Sequence, residues 1–271
     1  MRGQWLGVFD SGVGGLTVAQ EIVRVLPAAD MVYLGDTARV PYGSRSPDTV
    51  RRYARGCARA LSELGLRALV VACNTASAVA LDALAGEFDG PVLGVVRPGA
   101  ARAVAATRTG HVAVLATRTT TASGAYVRAL KEAASGGTRD IRATALSCPL
   151  FVPLAEEGWI DGDVPAAAAR RYLAPLAGTD VDTLVLGCTH YPLLAGVIRA
   201  AAEDLTGRPL TVIDSAAAVA SALASQVGGA VEGQGRRRFL VTDDPASFAA
   251  VAPRFFGAET ADLHHIDVVP A

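Results

Sequence analysis

Two cysteines of this chain stand in matching surroundings. Ala68-Leu69-Val70-Val71-Ala72 runs into Cys73-Asn74-Thr75, and Thr183-Leu184-Val185-Leu186-Gly187 runs into Cys188-Thr189-His190. Each segment reads as a buried strand that ends in a thiol followed by hydrogen-bonding side chains. That pattern sets the thiol at the carboxyl end of a strand, where open α/β sheets build their sites. A free thiol titrates near pH ~8.5, close enough to neutrality to serve as base or acid after modest tuning. Two of them in equivalent settings point to opposed acid/base groups with one substrate between them. Either cysteine alone could be a buried apolar residue. A metal site lacks the usual CxxC or HxxxH spacing, and a cysteine hydrolase leaves the second thiol unexplained.

The remaining candidates surround these two. His190, two residues from Cys188, and Asp10, expected across the same cleft beside Cys73, are plausible tuners of the thiols. Asp10 also suits holding an ammonium, although in isolation it reads equally well as a helix cap. Asp10-Ser11-Gly12-Val13-Gly14-Gly15 invites a phosphate-loop reading, but Thr17 occupies the third glycine position of a dinucleotide fingerprint and no GK[ST] follows. Its glycines would still let the backbone approach a small anion. Cys57 falls within a helical pattern and reads as core, Cys148 stays open between packing and site, and His111, His264 and His265 read as structural or solvated. Glu156 and Glu157 read as surface acids unless a cleft lies nearby. Lys131, the one lysine of the sequence, lies in a polar stretch resembling an exposed helix end, which disfavours a lysine-tethered cofactor.

The elements that must position these residues alternate strand and helix patterns along 271 residues. Short apolar runs such as 6–9, 31–34, 68–72, 112–115 and 183–186 are separated by segments with helical spacing. Ser46-Pro47-Asp48 is a strong helix start, with a serine cap, a proline at the first position and an acid in the first turn. Repeated βα units imply an α/β fold with parallel sheets and helices on both faces. The pattern restarts after Arg97-Pro98-Gly99, which argues for two similar doubly wound domains related by a pseudo-twofold, with the site in the cleft between them. The expected boundaries are 1–97 plus 208–271 for the first domain and 98–207 for the second.

Composition narrows the partners. With 51% hydrophobic and 19% charged residues the chain reads as globular. A net charge of −1 and the lack of a basic-aromatic patch argue against nucleic-acid binding. No signal-peptide or membrane-span pattern is visible, so a cytoplasmic location with free thiols is expected.

Several segments resemble the bacterial glutamate racemases: residues 6–18, Gly35-Asp36-Thr37-Ala38-Arg39-Val40-Pro41-Tyr42-Gly43, Ala72-Cys73-Asn74-Thr75-Ala76-Ser77, residues 148–154, Leu186-Gly187-Cys188-Thr189-His190-Tyr191-Pro192-Leu193-Leu194, and Val241-Thr242-Asp243-Asp244-Pro245. The resemblance covers nearly the whole chain, in order. It implies interconversion of L- and D-glutamate without a cofactor or metal, supplying D-glutamate for peptidoglycan, by a homodimer. On that resemblance Cys73 and Cys188 are the two bases, Cys73 acting on the D- and Cys188 on the L-enantiomer, assisted by Asp10, Glu156 and His190. Asp10, Asn74, Thr75, Thr117, Thr120, Thr189 and His190 would bind the amino acid, and Ser11, Tyr42 and Gly43 a carboxylate. Two positions depart from the family pattern: Arg97 stands where many relatives carry glutamate, and the segment around Arg118 lacks the usual glycines and proline. The alternatives are an aspartate or hydantoin racemase of the same family, or a catalytically silent binding or regulatory relative.

Overall fold

The computed structural model describes residues 5–135, 137, 140–228, 233–257 and 262–268. Among these residues, ten strands form two sheets. The first holds β1 (Trp5–Asp10), β2 (Met31–Gly35), β3 (Leu66–Val71), β4 (Val92–Gly94), β9 (Arg237–Val241) and β10 (Leu263–His265); the second holds β5 (His111–Ala116), β6 (Arg142–Ser147), β7 (Thr183–Gly187) and β8 (Thr211–Asp214). The orders are β10-β9-β2-β1-β3-β4 and β6-β5-β7-β8. Every ladder is parallel.

The central strands read as largely apolar runs because both of their faces are covered. Leu6, Val8, Tyr33, Ala68 and Val70 face the helices Leu16–Val25 and Ser215–Val227, where Leu16, Ile22, Val219 and Leu223 pack against them. Phe9, Val32, Leu34, Leu69 and Val71 point the other way, onto Val50, Ala54, Cys57 and Leu61 of the helix Pro47–Ser62. That helix starts as expected: Ser46 caps it by accepting from the Thr49 N–H, with Pro47 in the first turn.

The repeat expected from the sequence is present in the topology. The core order β2-β1-β3-β4 recurs as β6-β5-β7-β8. In each sheet the strand order reverses between the first and third strands, and such switch points open a crevice at the strands' carboxyl ends. One expected boundary moves. The strand at 211–214, placed with the first domain in the sequence reading, pairs with β7 in register Thr183↔Thr211 and so belongs to the second sheet. The chain therefore crosses back at Asp214–Ser215, and the reason is physical: this short strand covers the open edge of β7.

Candidate active site

Each thiol sits at a switch point. β1 delivers Ser11 and β3 delivers Cys73 at one; β5 delivers Thr117 and β7 delivers Cys188 at the other. The two crevices face each other across one cavity of about 250 Å³, close to the small end of ligand pockets. Ser11, Gly12, residues 40–44 and Cys73-Asn74-Thr75 line it from the first sheet. Thr117, Arg118, Pro149, Val152, Pro153, Glu156 and Cys188-Thr189-His190 line it from the second. A larger cavity of about 370 Å³, bounded by Arg51, Arg97 and Arg128 among others, contains neither thiol.

Two glycines let the halves meet this closely. A Cβ on Gly14 would come to 2.4 Å from both His190 Nδ1 and Thr189 Oγ1, and one on Gly43 would lie 2.6 Å from the Thr117 Cβ. The glycine-rich loop after β1 therefore gives room to side chains of the opposite domain. Around it, the hydroxyls of Thr75, Thr117 and Thr120 form a triangle with edges of 3.0, 3.0 and 2.9 Å across the boundary. Thr119 donates to the Arg45 carbonyl at 2.8 Å.

The thiols have different attendants. Cys73 caps the helix Asn74–Val79, accepting from the Ala76 N–H at 3.5 Å, and lies 3.6 Å from Ser11 Oγ. Burial pushes it up to about 12, and Asp10 adds to the rise; the Ala76 N–H and the Ser11 hydroxyl pull the other way. Asp10 is completely buried behind the cavity wall, and its Oδ2 accepts from the Gly12 N–H at 3.0 Å. Its Oδ1 has no partner among the described residues. Burial raises its carboxyl above the usual value, against the pull of His190 and three backbone N–H groups.

Cys188 stands 3.8 Å from His190 Nδ1, and His190 Nε2 lies 2.8 Å from Glu156 Oε1. Burial alone would lower His190; the hydrogen bonds to Cys188 and Glu156 outweigh it and lift the ring to about 10. The ring is also held edge-on by Phe255, 5.3 Å between centroids. Arg254, beside Phe255, donates to the Glu156 carbonyl. The C-terminal segment of the first domain thus buttresses the second domain's thiol, which sequence spacing gave no means of seeing.

The structure gathers Ser11, Gly43, Cys73, Asn74, Thr75, Thr117, Glu156, Cys188, Thr189 and His190 at the cavity. Tyr42 lines it too, but its hydroxyl points away, donating to Asp36. Thr120 stands behind Thr75 and Thr117. Cys57 is core, 3.9 Å from the Tyr42 hydroxyl, and Cys148 is buried with its thiol toward the Leu146 carbonyl at 3.7 Å. His111 is tied to Asp180 and Thr144, at 2.7 and 2.8 Å, and His264 and His265 are exposed on β10. Of the two departures from the family pattern, Arg118 lines the cavity and Arg97 lines the larger one. Lys131 is exposed on the helix Ala125–Ala134.

No helix among the described residues is long and apolar enough to cross a membrane. Comparison with known proteins agrees with this geometry. The family described as Asp/Glu/Hydantoin racemase matches residues 6–223. A glutamate racemase from Geobacter metallireducens is 46% identical over 97% of this chain and 96% of its own length. The crystal structure of glutamate racemase from Francisella tularensis in complex with D-glutamate superposes with a TM-score of 0.87 at 32% identity, covering 99% of this chain and 97% of that one. That from Thermus thermophilus in complex with beta-chloro-D-alanine gives 0.84 at 43%, covering 97% and 96%. Two thiols at equivalent strand ends, one cavity between them and likeness along nearly the whole chain agree: this protein belongs to the aspartate/glutamate/hydantoin racemase family.

Proposed function

We propose that this chain interconverts L- and D-glutamate by two-base proton transfer, with Cys73 on one face of the α-carbon and Cys188 on the other. The observation that carries the reading is the placement of both thiols on the wall of one small cavity, each at a switch point of its own sheet.

In the D-to-L direction the Cys73 thiolate takes the α-proton and the Cys188 thiol delivers one to the opposite face; the reverse direction exchanges the roles. The hard step is the carbanion, whose charge spreads into the α-carboxylate. Preorganised donors in a water-poor cavity are the main means of stabilising it. Asn74, Thr75, Thr117 and Thr189 supply such donors, and the 40–44 loop with Ser11 supplies a second carboxylate site. His190, held by Glu156, assists Cys188, and Asp10 orders the loop beside Cys73. These steps use only groups of the chain, so the reaction needs no cofactor or metal, and its product, D-glutamate, serves peptidoglycan assembly in the cytoplasm.

The test is the circular dichroism of D-glutamate incubated with purified protein and no additive. The signal decays to zero under this reading, and a constant signal sinks it. Faster decay with D-aspartate would reassign the substrate within the family.

A further inference from the structure

Tyr126 belongs to neither thiol's attendants nor the set that lines the cavity. It lies on the helix Ala125–Ala134 of the second domain and is only 3% exposed. Its hydroxyl reaches into the first domain and donates to Asn74 Oδ1 at 2.6 Å. The same hydroxyl lies 3.2 Å from Ser215 Oγ, at the point where the chain crosses back from β8. Ser215 is pressed against the other crossing, since a Cβ on Gly99 would fall 2.5 Å from its Oγ. The Tyr126 ring lies against Gly187, whose Cβ would meet Tyr126 Cε2 at 3.0 Å. One side chain therefore touches the residue after Cys73, the residue before Cys188 and the first residue of the helix that follows the interdomain crossing.

We infer that Tyr126 is a positioning residue for the proton transfer: its hydroxyl fixes the orientation of the Asn74 amide while its ring braces the turn that presents Cys188. The inference rests on the racemase reading. The direction of the hydrogen bonds supports it. An amide oxygen can only accept, so the phenol spends its one proton on Asn74 and leaves Ser215 to donate to the phenolic oxygen. Burial holds the phenol well above its ordinary value, so that proton stays in place. With Oδ1 occupied, the amide turns its NH2 group to the cavity that Asn74 lines. An anionic substrate needs a donor there. A flipped amide would offer an acceptor to a carboxylate and repel it.

A Phe at this position would fill the same volume, so Tyr126→Phe isolates the hydroxyl. Expected is a fall in kcat/KM of about 10- to 100-fold, the size of a small displacement of reacting groups. The fall is equal for both enantiomers, because their equilibrium constant is one. The melting temperature stays within a few degrees. A merely structural tyrosine would lose activity independently of Asn74, so the deciding readout is the cycle with Asn74→Ala: the double variant is no slower than Asn74→Ala alone. Ser215→Ala, which removes no direct contact of Asn74, gives a smaller loss that also vanishes in the Asn74→Ala background. A Tyr126→Phe variant within twofold of the parent, or losses that multiply in either cycle, overturns the inference. A parent inactive on glutamate sinks the racemase reading instead.

Discussion

Residue by residue, the two thiols are not equivalent. Burial pushes Cys73 up to about 12, whereas Cys188 stands beside an imidazole that its hydrogen bonds to Cys188 and Glu156 lift to about 10. Replacing either cysteine by serine keeps a proton donor but removes an effective base. Each Cys→Ser variant should lose about 10²- to 10⁴-fold in both directions, the usual worth of general acid–base catalysis. With a β-substituted glutamate bearing a good leaving group, the lone remaining thiol can still drive elimination. Cys73→Ser should process only the L-configured substrate and Cys188→Ser only the D-configured one. Both variants acting on one enantiomer would refute the assignment of faces. His190 makes a pH prediction. Its folded value of about 10 lies above the ordinary value near 6.5, so the stability it contributes is complete below pH ~6.5 and is lost as pH rises through about 10. The melting-temperature gap between the parent and His190→Gln should therefore narrow from pH 6.5 to 10. Activity should fall over the same alkaline limb, and that limb should disappear in the variant.

At the scale of elements, close approach governs. Gly14→Ala puts a methyl group where His190 and Thr189 already lie, so the loop or those two side chains must give way. A loss of 10²-fold or more in kcat/KM is expected with little change in secondary structure, measured by racemisation and far-ultraviolet dichroism. Elements with strong periodicity were legible in the sequence. The central strands are buried on both faces and so are apolar through their middles, with Asp10, Arg67, His111 and Thr183 at or near their ends, and the Ser46-Pro47-Asp48 cap marks its helix directly. What escaped has a physical reason in each case. β10 is short and carries two histidines, held by the ladder to β9 rather than by its own side chains. The helices Arg118–Ser123 and Ala125–Ala134 are separated by Gly124 in a left-handed conformation, a break that helical spacing does not mark. Both thiols and His190 were readable from local pattern, and Glu156 entered through the family resemblance. Tyr126 and Phe255 act through contacts distant in sequence, which no spacing encodes.

For the whole molecule, the homodimer that the family resemblance implies is a prediction, and exposed apolar side chains give it a face to test. Leu150, Trp159, Ile160 and Val164 are 47%, 55%, 40% and 52% exposed on the segment that also carries Glu156. Light scattering should return about twice the 27.7 kDa chain mass. Trp159→Glu should lower the dimer fraction; an unchanged dimer would place the contact elsewhere. The unequal thiols have a further consequence for kinetics. A turnover that begins with one thiol protonated ends with the other protonated, so the protein released is not the protein that bound. Its reset requires a proton to pass between two sulfurs through a cavity of only about 250 Å³. When both enantiomers are abundant, each released form meets the opposite substrate before it can reset, and that turnover restores the first form only by running the conversion backward. Net approach to equilibrium should then slow as total glutamate rises, which simple saturation does not produce, and solvent deuterium should slow the concentrated regime, where the reset is limiting, more than the dilute one.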